Sequence, residues 1–267
     1  MDSASQYLSM SEPDKSNHLW KYTPWRRVHP TGEITEIPEL ASATLSISMM
    51  DGTEVPPGVS LVRGNGEDLD LSMDNALTNS FLHAMSNSSN WLLIVESGFR
   101  FESPIILDVQ TGVVDSVAHI SMEIGEMADF ELVTRVSGKS DWFGLLRTGN
   151  IGSGTILNDV LIGLQENGTF LRSDSLKIGR DAQVRAGTVS SGSERTKSDL
   201  RYKLEERGGG IKVLGSILSA ESMHLDHHIE IHHEAPDTFS RLSWHSACGG
   251  DSRTTVSYTH LTLPTTR

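Results

Sequence analysis

The chain has 267 residues, is 37% hydrophobic and 6% aromatic, and carries a formal charge of −13 from 22 basic and 35 acidic side chains. That length can bury a proper core as one large domain or two smaller ones, and the acidic balance argues against a nucleic-acid partner, because a phosphate backbone would be repelled. The longest apolar run, WLLIV at 91–95, falls far short of the roughly 20 residues that span a bilayer, and the polar N-terminus lacks the pattern of a secretory signal.

In chain order, WKYTPW (20–25) is an aromatic segment interrupted by Pro24. Its Trp20, Tyr22 and Trp25 read as packing anchors rather than as a ligand-stacking platform. EVPPGVSLV (54–62) reads as a turn entering a short strand. LSMDNALTNSFLHAM (71–85) places Leu77, Phe81 and Ala84/Met85 at helical spacing behind Asp74 as an N-cap, which predicts an amphipathic helix. From residue 91 onward, strands of roughly four to eight residues recur about every ten residues, separated by Gly, Asn, Asp and Ser. Such a body is a sandwich, a barrel or a parallel β-helix. Near-regular turns, few Asn-Gly or Asp-Gly hairpin signals, and strands mixing small and branched residues favour stacked rungs without deciding the matter.

Several candidate sites fail on mechanism. GNIGSGT (149–155) lacks the lysine of a phosphate-binding loop. Glu123, Glu126 and Glu131 are scattered among strands and read as solvated turns, not as a catalytic carboxylate pair. RTKSDLRYKLEER (195–207) alternates in sign and reads as a solvated face. Cys248 is the single cysteine, which excludes an internal disulfide and suits a reducing cytoplasm; the N-x-[ST] matches at Asn87 and Asn167 are then chance. An iron–sulfur cluster wants several thiolates, so Cys248 alone would only complete a shared site, and a half-buried free thiol is expected.

HLDHHIEIHHEAP (224–236) packs five histidines and three acids into thirteen positions. As a strand, it places His224, Asp226, His228, Glu230, His232 and Glu234 on one face and Met223, Leu225, His227, Ile229, Ile231 and His233 on the other. The second face is mostly apolar and should pack inward, with His227 and His233 as hydrogen-bonded guests. The first is expected to be solvated. His224, Asp226, His228 and His232 are the candidate metal ligands, since residues two apart on a strand lie roughly 6.5–7 Å apart. A site would still need a third ligand and supporting groups from elsewhere.

Read together, three segments resemble the SufB/SufD family of iron–sulfur cluster assembly proteins, in particular its SufD branch. They are HLWKYTP (18–24), NALTNSFLHAMSNSSNWLLIVESGFRFESPIILDV (75–109) and HLDHHIEIHHEAPDTFS (224–240). In the last, His224, Asp226, His228, Ile231, His233, Pro236 and Ser240 fit the pattern, with Arg253 in register further on. The resemblance covers roughly residues 18–256. It implies a right-handed parallel β-helix core with a small mixed or helical N-terminal part. It also implies a non-catalytic role beside SufB-like and SufC-like subunits, with any cluster transient and held at a subunit junction. The family's C-terminal helices and Cys-x-His-Gly segment have no counterpart in this sequence.

The expected organisation is an N-terminal region at 1–88, an incomplete β-helix at 89–256 and a tail at 257–267. The tail's ending, YTHLTLPTTR, reads as a non-native read-through. The expected function is that of a cytoplasmic scaffold subunit with no catalytic residues and no tightly bound cofactor. A solenoid cut in mid-rung would also self-associate. The alternative is a β-helical or cupin-like metal-dependent enzyme using the histidine row at 224–234.

Overall fold

The computed structural model describes residues 3–64, 76–86 and 89–262. A short helix, α1 (Ser3–Leu8), is followed by two 3-10 turns, His18–Trp20 and Trp25–Arg27. Three short strands come next: β1 (Ala41–Ser42), β2 (Thr44–Met49) and β3 (Val59–Arg63). Then come α2 (Ala76–Met85), β4 (Asn90–Val95), β5 (Ile105–Gln110), β6 (Ser116–Ile124), β7 (Asp129–Gly138) and β8 (Trp142–Ile151). The rest is strand after strand: β9 (Ile156–Gln165), β10 (Thr169–Ile178), β11 (Gln183–Ser190), β12 (Arg195–Leu204), β13 (Gly210–Ser219), β14 (His224–His233), β15 (Phe239–Cys248) and β16 (Arg253–Thr262). The helix predicted over 71–85 is therefore α2; its proposed cap, Asp74, lies outside the described residues.

Even-numbered strands from β4 to β16 stack into one parallel sheet, which β3 extends antiparallel to β4. Odd-numbered strands from β5 to β15 stack into a second, which β2 extends antiparallel to β5. From β4 onward the chain passes from one sheet to the other at every connection, so the body is a parallel β-helix of about six turns. The β-helix that the sequence left open among three all-β architectures is what forms. Its period is visible in the register: Trp142 lies opposite Thr169, Thr169 opposite Arg195, Arg195 opposite His224 and His224 opposite Arg253, steps of 27, 26, 29 and 29 residues.

One corner explains how a chain without obvious repeats keeps this period. Each rung turns through a single residue of positive φ, successively Gly98, Met127, Gly154, Asp181, Gly208 and Asp237. Glycine and a side-chain-bearing residue alternate along the stack. A Cβ on Gly154 would sit 2.5 Å from the Met127 sulfur, and one on Gly208 would sit 1.9 Å from the Asp181 carboxylate. Met127 and Asp181 thus occupy the space that Gly154 and Gly208 leave empty. Backbone bonds such as Met127 N–H to Ser153 O and Asp181 N–H to Arg207 O carry the ladder through the corner.

Alternation fills the bore. Leu93, Ile120, Leu145, Leu157, Leu200, Ile211, Ile229 and their neighbours form one continuous core. The two sheets differ outside. Strands β11 and β13 alternate buried and exposed residues, whereas β8, β10, β12 and β14 are buried on both faces over most of their length. The cover is the N-terminal part of the chain. Tyr7, Leu19, Trp20, Trp25 and Val28 join Leu77, Phe81, Leu82 and Met85 of α2 over Val117, Trp142, Leu146 and Leu171 of the sheet. Removing such side chains from water contributes about 1.5–3 kcal/mol each, which is what fastens this layer to the solenoid.

Candidate functional site

The segment from Asn17 to Val28 forms a strap across the outer face of the even-numbered sheet. Asn17 caps its first turn, accepting from the Leu19 N–H. Trp20 and Trp25 are buried and meet edge to face at 5.2 Å, while Tyr22 is 48% exposed. Two of the expected anchors therefore anchor, and the third faces outward. The strap's polar groups reach the histidine strand. Thr23 donates its hydroxyl to Asp226 at 2.7 Å and lies 3.2 Å from His224 Nε2. His18 meets His228 edge-on, and Lys197 sits over the Trp20 ring at 5.4 Å.

The strap overturns the expectation of solvated faces. β14 divides by parity as its sequence requires, with Leu225, Ile229 and Ile231 buried and the two isoleucines in the main core. Its polar face is nonetheless buried at Asp226, His228 and Glu230, with His224 and His232 half-buried. RTKSDLRYKLEER is corrected in the same way: Lys197, Asp199 and Arg201 of β12 are fully buried. Burial of so much charge is tolerable only because it is paired. Lys197 lies 3.2 Å from Asp199 and 3.4 Å from Asp226, and Arg201 lies 2.9 Å from Glu230. Glu230 also bonds His232. Burial alone would raise the Glu230 carboxyl, but the His232 hydrogen bond and the Arg201 guanidinium outweigh it and pull it down to about 2. Asp199 is likewise held low, Lys197 and Arg201 together overcoming its burial.

A second buried charge cluster lies inside the bore, and no sequence motif marks it. Arg147 bonds Asp159 and lies 3.6 Å from Asp174. Arg172 grips the same Asp174 through two bonds at 3.0 and 2.6 Å and donates to Thr188 at 3.1 Å. Burial would raise Asp174, and the two guanidinium groups pull it below the ordinary range. The one available signal was parity: these charges fall on the inward positions of strands otherwise filled by Leu, Ile and Phe.

The metal candidates do not converge. His224 and Asp226 share Thr23, His228 bonds Ser257 at 3.0 Å, and His232 bonds Glu230. Among the described residues, no three His, Cys, Asp or Glu side chains are grouped to hold a metal ion. Burial pushes His228 down to about 4. His233 is a half-buried, doubly bonded histidine, with Thr238 at 2.8 Å and Ser240 at 2.9 Å. His227 departs from expectation. It is buried beside the Trp244 ring, neither ring nitrogen has a partner among the described residues, and burial with nearby Arg172 and Lys197 pushes it down to about 3. Cys248 is exposed rather than half-buried, although it shares the inward side of β15 with Leu242 and Trp244. Glu126 and Glu131 are exposed, and Glu131 accepts from Asn158.

The fold and its candidate site thus make a parallel β-helix strapped by its own N-terminus, with its buried charges paired. Residues 113–258 match the family model described as SUF system FeS cluster assembly, SufBD core domain, and the chain belongs to that family. It is similar to an iron–sulfur cluster assembly SufBD family protein of Mycobacterium tuberculosis, 22% identical over 253 residues, and to a counterpart in Mycobacterium bovis at 21%. The alignment covers 93% of this chain and 62% of either relative, so the chain spans less than two thirds of their length. Among the described residues, no helix is long and apolar enough to cross a membrane.

Proposed function

We propose that this chain is a SufD-like scaffold subunit of a cytoplasmic iron–sulfur cluster assembly complex, acting by binding SufB-like and SufC-like partners rather than by catalysing a reaction. The observation that carries this reading is the family match over 113–258, which coincides with strands β6 to β16 of the solenoid. The SufD branch is supported by two of the three resembling segments, 18–24 and 224–240. They lie some 200 residues apart in sequence and are joined through Thr23, Asp226 and His224.

The cluster in this scheme is cargo, passing through a subunit junction and held mainly by groups that the partner supplies. The histidines of β14 serve as struts, being engaged with Thr23, Ser257 and Glu230, and this weighs against an enzyme that would use them as ligands.

Co-expression with SufB and SufC homologues, followed by affinity purification through this chain, tests the reading. A stoichiometric complex is expected. The reading fails if SufB and SufC bind each other but leave this chain behind. It fails equally if the isolated chain holds stoichiometric metal that His228→Ala removes.

A further inference from the structure

We propose that the outer face of the odd-numbered sheet, along Arg185, Lys212 and Arg241, is a docking site for an acidic amphipathic helix of a partner protein. The inference is independent of the assembly role. Arg185 lies directly opposite Lys212, and Lys212 opposite Arg241, on β11, β13 and β15. All three are exposed. Neighbouring strands are about 4.8 Å apart, so three like charges stand in one short row, an arrangement that destabilises a sheet. The same-face neighbours along the three strands, Gln183, Gly187, Gly210, Leu214, Phe239 and Ser243, include no acid.

Elsewhere this solenoid sets exposed cations against acids on the next rung. Arg135 lies 2.7 Å from Asp108, Lys139 2.8 Å from Glu166, and Arg207 2.6 Å from Asp237. In a chain of net charge −13, an unopposed row of three cations is the exception, and a carboxylate supplied from outside would relieve it.

Beside the row lies apolar surface. Val189, Leu214 and Leu218 are 37%, 46% and 60% exposed. Leu214 and Leu218 stand two and six residues beyond Lys212 on β13, roughly 7 and 20 Å away along the strand. The backbone N–H and C=O groups lie in the plane of the sheet, so this face offers only side chains and cannot accept an added strand. A helix about 10–12 Å across, lying along the solenoid axis, would cover Val189 and Leu214 with one stripe. Carboxylates four residues apart on its flank would then meet the cations. An extended polyanion or an anionic membrane fits poorly. Screening confines the attraction to about 8 Å at physiological salt, and the rest of the surface repels anions.

The test is fluorescence anisotropy with two labelled 16-residue helical peptides. One pairs a leucine stripe with a flanking glutamate stripe, and the other has lysine in place of each glutamate. Net charge alone would favour the lysine peptide, so the order of affinities is diagnostic. The glutamate peptide is expected to bind at least tenfold more tightly. Raising salt from 50 to 300 mM should weaken it severalfold, and the K212E/R241E double variant and Leu214→Asp should each weaken it at least tenfold. Circular dichroism of the variants separates lost binding from lost folding, and the salt dependence of the unaltered protein stands even if a variant fails to fold. Equal binding of both peptides, or no binding of the glutamate peptide, overturns the proposal. So does a concentration-dependent dimer abolished by Leu214→Asp, since a second copy would then fill the face.

Discussion

At the scale of single residues, the molecule is governed by charges that are buried because they are paired. Arg201 and Glu230 are each 0% exposed, and the guanidinium Nη1 and Nη2 have no hydrogen-bond partner among the described residues. Removing one member leaves the other uncompensated, so Glu230→Ala should cost about 3–5 kcal/mol in denaturant unfolding. The double substitution Arg201→Met with Glu230→Leu should recover most of that loss, because well-packed apolar side chains often equal a buried pair. Titration adds a second expectation. His227 and His119 are both pushed down to about 3 by burial. Above about pH 6.5 this makes no difference to stability. As pH falls below that value, the unfolded chain takes up protons that the folded chain refuses. Stability then drops by about 1.4 kcal/mol per pH unit for each histidine, continuing towards pH 3. Unfolding at pH 7 and pH 5 should therefore differ by roughly 4 kcal/mol from these two groups, and His227→Leu should remove about half of the difference. An unchanged slope in that variant would mean that His227 protonates freely in the folded state. Glu230, held down to about 2, acts in the same direction: its contribution is present above the ordinary carboxylate range and is lost as pH falls towards 2.

At the scale of elements, the corner stack is the device that fixes the period. Gly208 has φ +77°, and a Cβ there would strike Asp181. Gly208→Ala should therefore cost roughly 1–3 kcal/mol from overpacking and left-handed strain together. Asp181→Gly should cost well under 1 kcal/mol, since it removes a Cβ from a positive-φ position and clashes with nothing. Equal losses for the two, measured by thermal unfolding, would show that the alternation along the stack has no steric basis. The corner also explains why the β-helix was hard to read from the sequence. Only every second corner is a glycine; Met127, Asp181 and Asp237 take the same conformation without announcing it. The strands themselves were legible, because their alternation is local. Their 26-to-29-residue register was not, because it is set by contacts between rungs.

At the scale of the whole molecule, the N-terminal strap decides what the even-numbered sheet shows to water. It closes one face of the solenoid, covering Val117, Trp142, Leu146 and Leu171. The same scale separates what the sequence determined from what required the fold. Residue order alone determined that β14 is a strand with three apolar residues on one side and a run of polar residues on the other, because side-chain parity is a property of the extended chain. It also carried the family resemblance, in segments 18–24, 75–109 and 224–240. What covers the polar side was decided only by tertiary structure. Whether Asp226, His228 and Glu230 face water or Thr23, His18 and Arg201 depends on a strap some 200 residues upstream and on a rung 29 residues back. Burial is a relation between distant segments, and no local pattern encodes it.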